Sequence, residues 1–232
     1  GDVVYKVKKA VDFGFLDFTT LQKRRHYCDE ELRLNRRLAP QAYLEVVAIT
    51  ENPGGELALG GQGPVIEYAV KMRRLPQERM LKKLLQEGQA RPEMLEAVAR
   101  RVALFHAEAE TGGEIDRIGG IETIRRNHEE NFDQTAPFVG RTIPPEQYRF
   151  IRAYALGFLE RERALFDRRV AHHRIRDCHG DLHLEHILVA DDILIFDCIE
   201  FNERFRFADV AAEVAFLAMD LDFNGYADEA AH

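Results

Sequence analysis

The chain has 232 residues, 46% of them hydrophobic, with 32 Lys and Arg against 40 Asp and Glu and a formal net charge of −8. That apolar content supports a sizeable core in one domain or two small lobes and excludes a disordered or low-complexity chain. The acidic balance argues against a general nucleic-acid or anionic-membrane partner, and neither a membrane-length apolar run nor the order of a signal peptide is present.

Residues 3–8 alternate with period two, with Val3, Tyr5 and Val7 on one face and Val4, Lys6 and Lys8 on the other, which predicts a strand. Residues 17–20 offer several helix caps, and Cys28, Leu32 and Leu38 follow at near-helical spacing, so a long helix is expected from Leu21 until Pro40 forbids it. Residues 43–49 and 65–72 are β-rich, and Asn52-Pro53-Gly54-Gly55 signals a turn with a short strand at 56–59 behind it. After Pro76 the pattern becomes helical. Met80, Leu81, Leu84 and Leu85 share a segment that Gly88 can end, and Leu95, Val98, Val102 and Phe105 follow Pro92 on another that stops by Gly112-Gly113. A helix is expected over 122–132, then a long one opened by Pro144-Pro145 and carrying Phe150, Ile151, Phe158, Leu159 and Phe166. Asp209 can cap a last helix over 210–221, closed by Asn224-Gly225. The composition changes near Leu75-Pro76, which divides the chain into a strand-rich lobe, 1–75, and a helix-rich lobe, 76–232.

The chemistry concentrates in Cys178-His179-Gly180-Asp181-Leu182-His183-Leu184-Glu185-His186-Ile187-Leu188. Residues 187–189 and 193–196 read as two short strands joined by a turn at 190–192, a β-hairpin that brings Asp197 beside His186. Asp181 lies just upstream, after Gly180, which permits a tight backbone path. Cys28, Cys178 and Cys198 show no metal-type spacing and read as free thiols of a reducing compartment, which points to the cytoplasm.

His179-Gly180-Asp181-Leu182-His183, followed by a strand and Ile195-x-Asp197-x-x-Glu200, resembles the catalytic core of aminoglycoside-phosphotransferase-like kinases. The resemblance implies an α+β, bilobal protein-kinase-like fold, with a small antiparallel β-rich N-lobe and a larger helical C-lobe carrying the catalytic hairpin. It also implies ATP and Mg²⁺ as cofactors and a small-molecule hydroxyl as acceptor. Asp181 matches the aspartate that takes the hydroxyl proton, and Asp197 the one that holds the metal bridging the ATP phosphates. Glu200 assists the metal or the substrate, or is structural. His186 stands where most of the family has an asparagine metal ligand; imidazole suits Mn²⁺ or Zn²⁺ better than Mg²⁺, so His186 is expected to bind metal, touch phosphate or orient Asp197. His183 faces the substrate in this resemblance, His179 and Gly180 shape the loop, and Asp209 adds hydrogen bonds to the catalytic-loop backbone to its helix cap. In the small lobe Lys6 matches the phosphate-contacting lysine, paired with Glu31 or, second, Glu30; period two alone cannot separate Lys6 from Lys8. Val70 to Met72 is expected to be the inter-lobe hinge whose backbone meets adenine. The family's first two strands and phosphate-covering loop are missing, so a trimmed fragment or an altered protein is expected. The chain also resembles a bacterial subgroup of these kinase-like proteins that is often joined to a P-loop ATPase domain, a possible fused or associated partner. Two other readings compete: a nucleotide-sensing pseudokinase-like module, and a metal-dependent phosphoesterase built on the clustered His and Asp.

Overall fold

The alternation at the start of the chain forms strand β1 (Val3–Val7) in the computed structural model, which describes residues 1–231. Thr20 caps helix α1 (Leu21–Asn35) by accepting the Lys23 amide. Strands β2 (Tyr43–Glu51), β3 (Leu57–Leu59) and β4 (Val65–Arg73) complete an antiparallel sheet of order β1-β4-β2-β3. At the predicted turn the Asn52 side chain accepts the Gly54 and Glu56 amides, closing the connection to β3. Helix α1 lies on the sheet, held by buried Arg24, which binds Glu67 of β4 and the carbonyls of Phe18 and Thr19.

Helix α1 ends at Asn35, before Pro40, where the sequence pattern allows it to continue. The Asn35 carbonyl takes the amides of Leu38 and Ala39, and the resulting turn sends Leu38, Ala39 and Ala42 into the core. Burial of these residues therefore outweighs the helical spacing of Leu38.

A 3₁₀ turn (Gln77–Arg79) leads into the helical lobe, through α2 (Leu81–Gln86), α3 (Pro92–Glu108), α4 (Gly113–Ile118), α5 (Ile121–Thr135), α6 (Pro145–Arg161) and α7 (Arg163–Ala171). The single long helix expected from Pro144-Pro145 through Phe166 is two, broken at Glu162 with φ −101° and ψ 17°. Neither Pro nor Gly marks that break. Strands β5 (Ile175–Asp177), β6 (Ile187–Val189) and β7 (Ile193–Ile195), helix α8 (Glu203–Arg206), strand β8 (Phe207–Asp209) and helices α9 (Val210–Phe223) and α10 (Ala227–Ala231) follow. The hairpin β6–β7 forms as expected, with Ile187 opposite Ile195. The β5–β8 pair, three residues on each side, was too short for periodicity to reveal. The fold is α+β: a small antiparallel sheet with one helix, joined to a larger helical lobe that carries the hairpin.

The hairpin sits between two cores. Leu182, Leu184, Ile187 and Ile195 pack into the helical lobe with Leu84, Val102 and Phe105. Leu188 and Leu194 point the other way, joining Met80 to Tyr43 and Val70 of the sheet. Alternation along two three-residue strands thus fastens the hairpin to both lobes. Leu188 is 2% exposed, so Leu188→Ala is expected to lower unfolding stability by about 2–5 kcal/mol, read by urea denaturation. A change below about 0.5 kcal/mol would show that the site collapses freely and that the hairpin does not join the lobes.

Candidate active site

The loop from Cys178 to His183 connects β5 to one 3₁₀ turn, Leu184–His186, ahead of β6. Its backbone is held by one buried carboxylate. Glu213 Oε1 accepts the amides of His179 and Gly180, both at 2.7 Å, and Oε2 accepts His106 Nε2–H at 2.6 Å. Burial pushes the Glu213 pKa up, but His106, His179 and the Gly180 amide together hold it below the usual range. This role was expected of Asp209, and the structure corrects it. Asp209 does cap α9 through the Ala211 amide, but its carboxylate is paired with Arg169 rather than with the loop. Glu213 follows Asp209 by one helical turn, so it points back from the same end of α9.

Gly180 has φ +87°, and a Cβ there would lie 2.9 Å from the Phe205 carbonyl oxygen, so both conformation and space require glycine. His179 is 1% exposed. Its Nδ1 accepts the Asp181 amide at 3.3 Å and its Nε2–H donates to the Phe196 carbonyl at 3.0 Å, tying the loop to the end of β7. Arg37, just past α1, donates to the carbonyls of Asp177 and Cys178 at 2.8 and 3.0 Å. No periodic signal in the sequence distinguishes Arg37 from its neighbours.

Asp181 and Asp197 converge on His186, as hairpin closure requires. His186 Nδ1 lies 3.6 Å from Asp181 Oδ2, and Nε2 lies 3.7 Å from Asp197 Oδ2. Because Nδ1 donates to the Asp181 carbonyl at 2.9 Å, the neutral ring presents a lone pair on Nε2 toward Asp197. A carboxylate and an imidazole lone pair facing each other repel unless a cation or a proton lies between them. Asp197 and His186 Nε2 therefore fit a divalent cation, with nitrogen in the donor set favouring Mn²⁺ alongside Mg²⁺. The trio Asp181, His183 and His186 brings its ligand atoms within 4.8 Å of one another. However, His183 Nδ1 accepts the Glu185 amide, so its Nε2, 3.5 Å from Asp181 Oδ2, carries the proton. Both ring nitrogens facing Asp181 carry protons, and that of His186 is given to the Asp181 carbonyl, so this trio does not present the lone pairs a metal needs.

Asp197 adopts φ 63°, one of two non-glycine residues with positive φ among those described. The strained backbone is held on both sides: Tyr43 Oη accepts the Asp197 amide at 3.1 Å and Asn35 Oδ1 accepts the Cys198 amide at 2.9 Å. Lys6 Nζ donates to Asp197 Oδ1 at 2.5 Å and lies 2.9 Å from Glu31 Oε1. Lys8 Nζ lies 2.7 Å from Glu31 Oε2 and also pairs with Glu200. Both lysines thus share Glu31, while Glu30, the second choice, binds Arg33. Two ammonium groups face three carboxylates, leaving one negative charge in excess at the cleft. Burial raises the Asp197 pKa, but the charge and hydrogen bond of Lys6 prevail and hold it below the usual range. Burial likewise lowers Lys6 and Lys8, and their carboxylate partners more than reverse it. For Glu200 burial wins over Lys8, and its pKa is raised. Glu200 is occupied by Lys8 and is not free to join a metal.

Val70 and Met72 lie inside β4, flanked by β1 and β2 on both sides. Their backbone groups serve the sheet, so they are not free to meet a base as expected of a hinge. Cys28, Cys178 and Cys198 are buried free thiols. Burial pushes Cys28 up to about 11 and Cys198 up to about 12, and raises Cys178 as well, so none is a ready nucleophile.

Burial lowers the His179 pKa to about 4. The unfolded chain, with histidine near 6.5, binds this proton first as pH falls, so folding stability decreases between about pH 6.5 and 4, by up to ~3 kcal/mol. Imidazole NMR should find His179 still neutral midway through that window, where an ordinary histidine is already protonated. A His179 resonance that titrates near pH 6.5 would contradict its sealed, hydrogen-bonded placement.

Residues 15–231 match the model of the phosphotransferase enzyme family (APH). Uncharacterized proteins of Mycobacterium tuberculosis and Mycobacterium bovis are 31% identical over 229 residues, which is 98% of this chain and 44% of theirs. The chain therefore spans less than half the length of these relatives. A glucosamine kinase, solved in complex with glucosamine, ADP and inorganic phosphate, aligns over 73% of this chain and 43% of its own at 18% identity. Its TM-score is 0.38, too low to carry a conclusion. The match over nearly the whole sequence, together with the Asp181–His186–Asp197 geometry on a two-lobed α+β scaffold, places this chain in the phosphotransferase enzyme family.

Proposed function

We propose that this chain is the phosphotransferase part of an ATP-dependent kinase whose acceptor is a hydroxyl of a small molecule such as a sugar or an aminoglycoside-like metabolite. The observation that carries the reading is the placement of two aspartates on either side of His186, one beside a lysine and one beside two N–H donors. Asp181 accepts the proton of the acceptor hydroxyl as that oxygen bonds to the γ-phosphorus, the bond from phosphorus to the bridging oxygen breaks, and ADP leaves with its electrons. His183 and His186 orient Asp181 through N–H groups, and His179 holds its backbone. Asp197 and His186 Nε2 hold the divalent cation, Mg²⁺ or Mn²⁺, which when bound offsets the charge of the phosphates. Lys6 contacts the phosphates, and Glu31 positions Lys6.

The nucleotide lies between the lobes 1–75 and 76–232. A cleft of about 1120 Å³, lined by Tyr27, Glu30, Arg117, Glu130, Glu200 and Arg204 among others, shares Glu200 with the lysine network but none of Lys6, Asp181, His186 or Asp197. Three buried free thiols support a reducing compartment, the cytoplasm. Among the described residues no helix is long and apolar enough to cross a membrane.

Transfer of phosphate from ATP to a panel of hydroxylated metabolites, followed by ADP release from the full-length protein, tests this reading. Asp181→Asn is expected to lower turnover about 10² to 10⁴-fold. Asp197→Asn is expected to lower turnover and to raise the divalent-cation concentration needed for half-maximal activity at least about tenfold. Wild-type turnover in Asp181→Asn would remove its assignment as base, whereas tight ATP binding without transfer to any acceptor would favour a nucleotide-sensing module.

A further inference from the structure

Lys6 of β1 and Lys8, one residue past the strand end, share one glutamate but meet different surroundings. We propose that Lys8 is a positioning residue, the permanent counter-charge of Glu31 and Glu200, and that its presence frees Lys6 to move from Asp197 to the nucleotide phosphates. This rests on the phosphotransferase reading and adds a division of labour that strand periodicity cannot supply.

Exposure separates the pair first. The Lys8 side chain is 4% exposed, whereas those of Lys6 and Asp197 are 41% and 42% exposed and share the open side of the cleft. The Phe18 ring lies 5.0 Å from the Lys8 ammonium and helps to seal it. Alignment separates them again. Glu31 Oε2 accepts a proper hydrogen bond from Lys8, whereas Oε1 has Lys6 Nζ at 2.9 Å without an aligned hydrogen bond. The aligned bond of Lys6 goes instead to Asp197.

Glu31 is 0% exposed, and a buried carboxylate with a single cation nearby holds it tightly, because losing that cation strands an unpaired charge. Lys8 removes this restriction. When Asp197 turns its oxygens to a divalent cation, Lys6 loses its aligned partner and can reach a phosphate while Glu31 stays neutralised. Glu200, three residues past Asp197, keeps the same ammonium tied to the segment that follows β7. Lys8 therefore fixes α1, β1 and this segment together while Lys6 exchanges.

An acyl-phosphate derivative of ATP, a mixed anhydride on the γ-phosphate, tests the assignment on the full-length protein. A lysine amine beside the phosphates attacks the acyl carbon, forms an amide and releases ATP, and tandem mass spectrometry locates the amide. Lys6 should be acylated and Lys8 not, with protection by excess ATP. In Lys8→Met the acylation of Lys6 should slow at least about tenfold and KM for ATP should rise by a similar factor, because Glu31 then retains Lys6. Lys8→Arg, which keeps the charge, should restore both to within about threefold of wild type. Acylation of Lys8 in preference to Lys6 overturns the proposal, as does wild-type labelling of Lys6 in a folded Lys8→Met protein. Should Lys8→Met not fold, the wild-type labelling pattern and Lys8→Arg still decide. Labelling of neither lysine, with no ATP protection, would instead defeat the phosphotransferase reading on which the proposal stands.

Discussion

A carboxylate with no exposed surface governs the small-lobe side of the site. A buried carboxylate needs a cation beside it, since an unpaired buried charge costs several kcal/mol, and Glu31 has two such cations. Lys6 of β1 and Lys8, one residue past its end, supply both cations, because side chains two residues apart along an extended chain point the same way. Lys6 continues to Asp197 and Lys8 to Glu200, so a single buried charge ties α1 and β1 to the segment after β7. The arrangement of three separate elements follows from satisfying one side chain.

The large-lobe side obeys the same rule with a different donor. Loop backbone near a core needs partners for its amides, and Glu213 gathers two of them while His106 occupies its other oxygen. Arg37 satisfies carbonyls of the same loop from the end of α1, so each half of the site leans on an element of the other. Between these anchors lie the more exposed groups, Lys6, Asp181 and Asp197. Rigid polar contacts surround a small set of side chains left available for chemistry, with an excess of negative charge that favours a cation.

Much of this was legible before any coordinates. Strand alternation over residues 3–8, the Asn52-Pro53-Gly54-Gly55 turn, the punctuation by Pro92 and Gly112, and the hairpin at 187–196 all depend on near neighbours, and all formed. The helix break at Glu162 and the β5–β8 pair went unseen for the opposite reason: one has no Pro or Gly, the other is too short to show a period. Asp209 attracted the loop-holding role because it sits at a cap position, yet Arg169 had already taken its carboxylate. The family resemblance implies a hinge at Val70 and Met72, yet their backbone groups pair within the sheet.

The sequence by itself determined the two-lobed order of elements, the meeting of Asp197 with His186, and the need for glycine at 180, since turn chemistry and hairpin register are local properties. Only the tertiary structure decided that Glu31 serves two lysines, that Glu213 and Arg37 hold the catalytic loop, and that His183 and His186 present N–H groups to Asp181. These contacts join residues from β1, α1, α9 and the hairpin, which spacing along the chain does not relate. They exist because buried polar groups must find partners wherever packing happens to bring them.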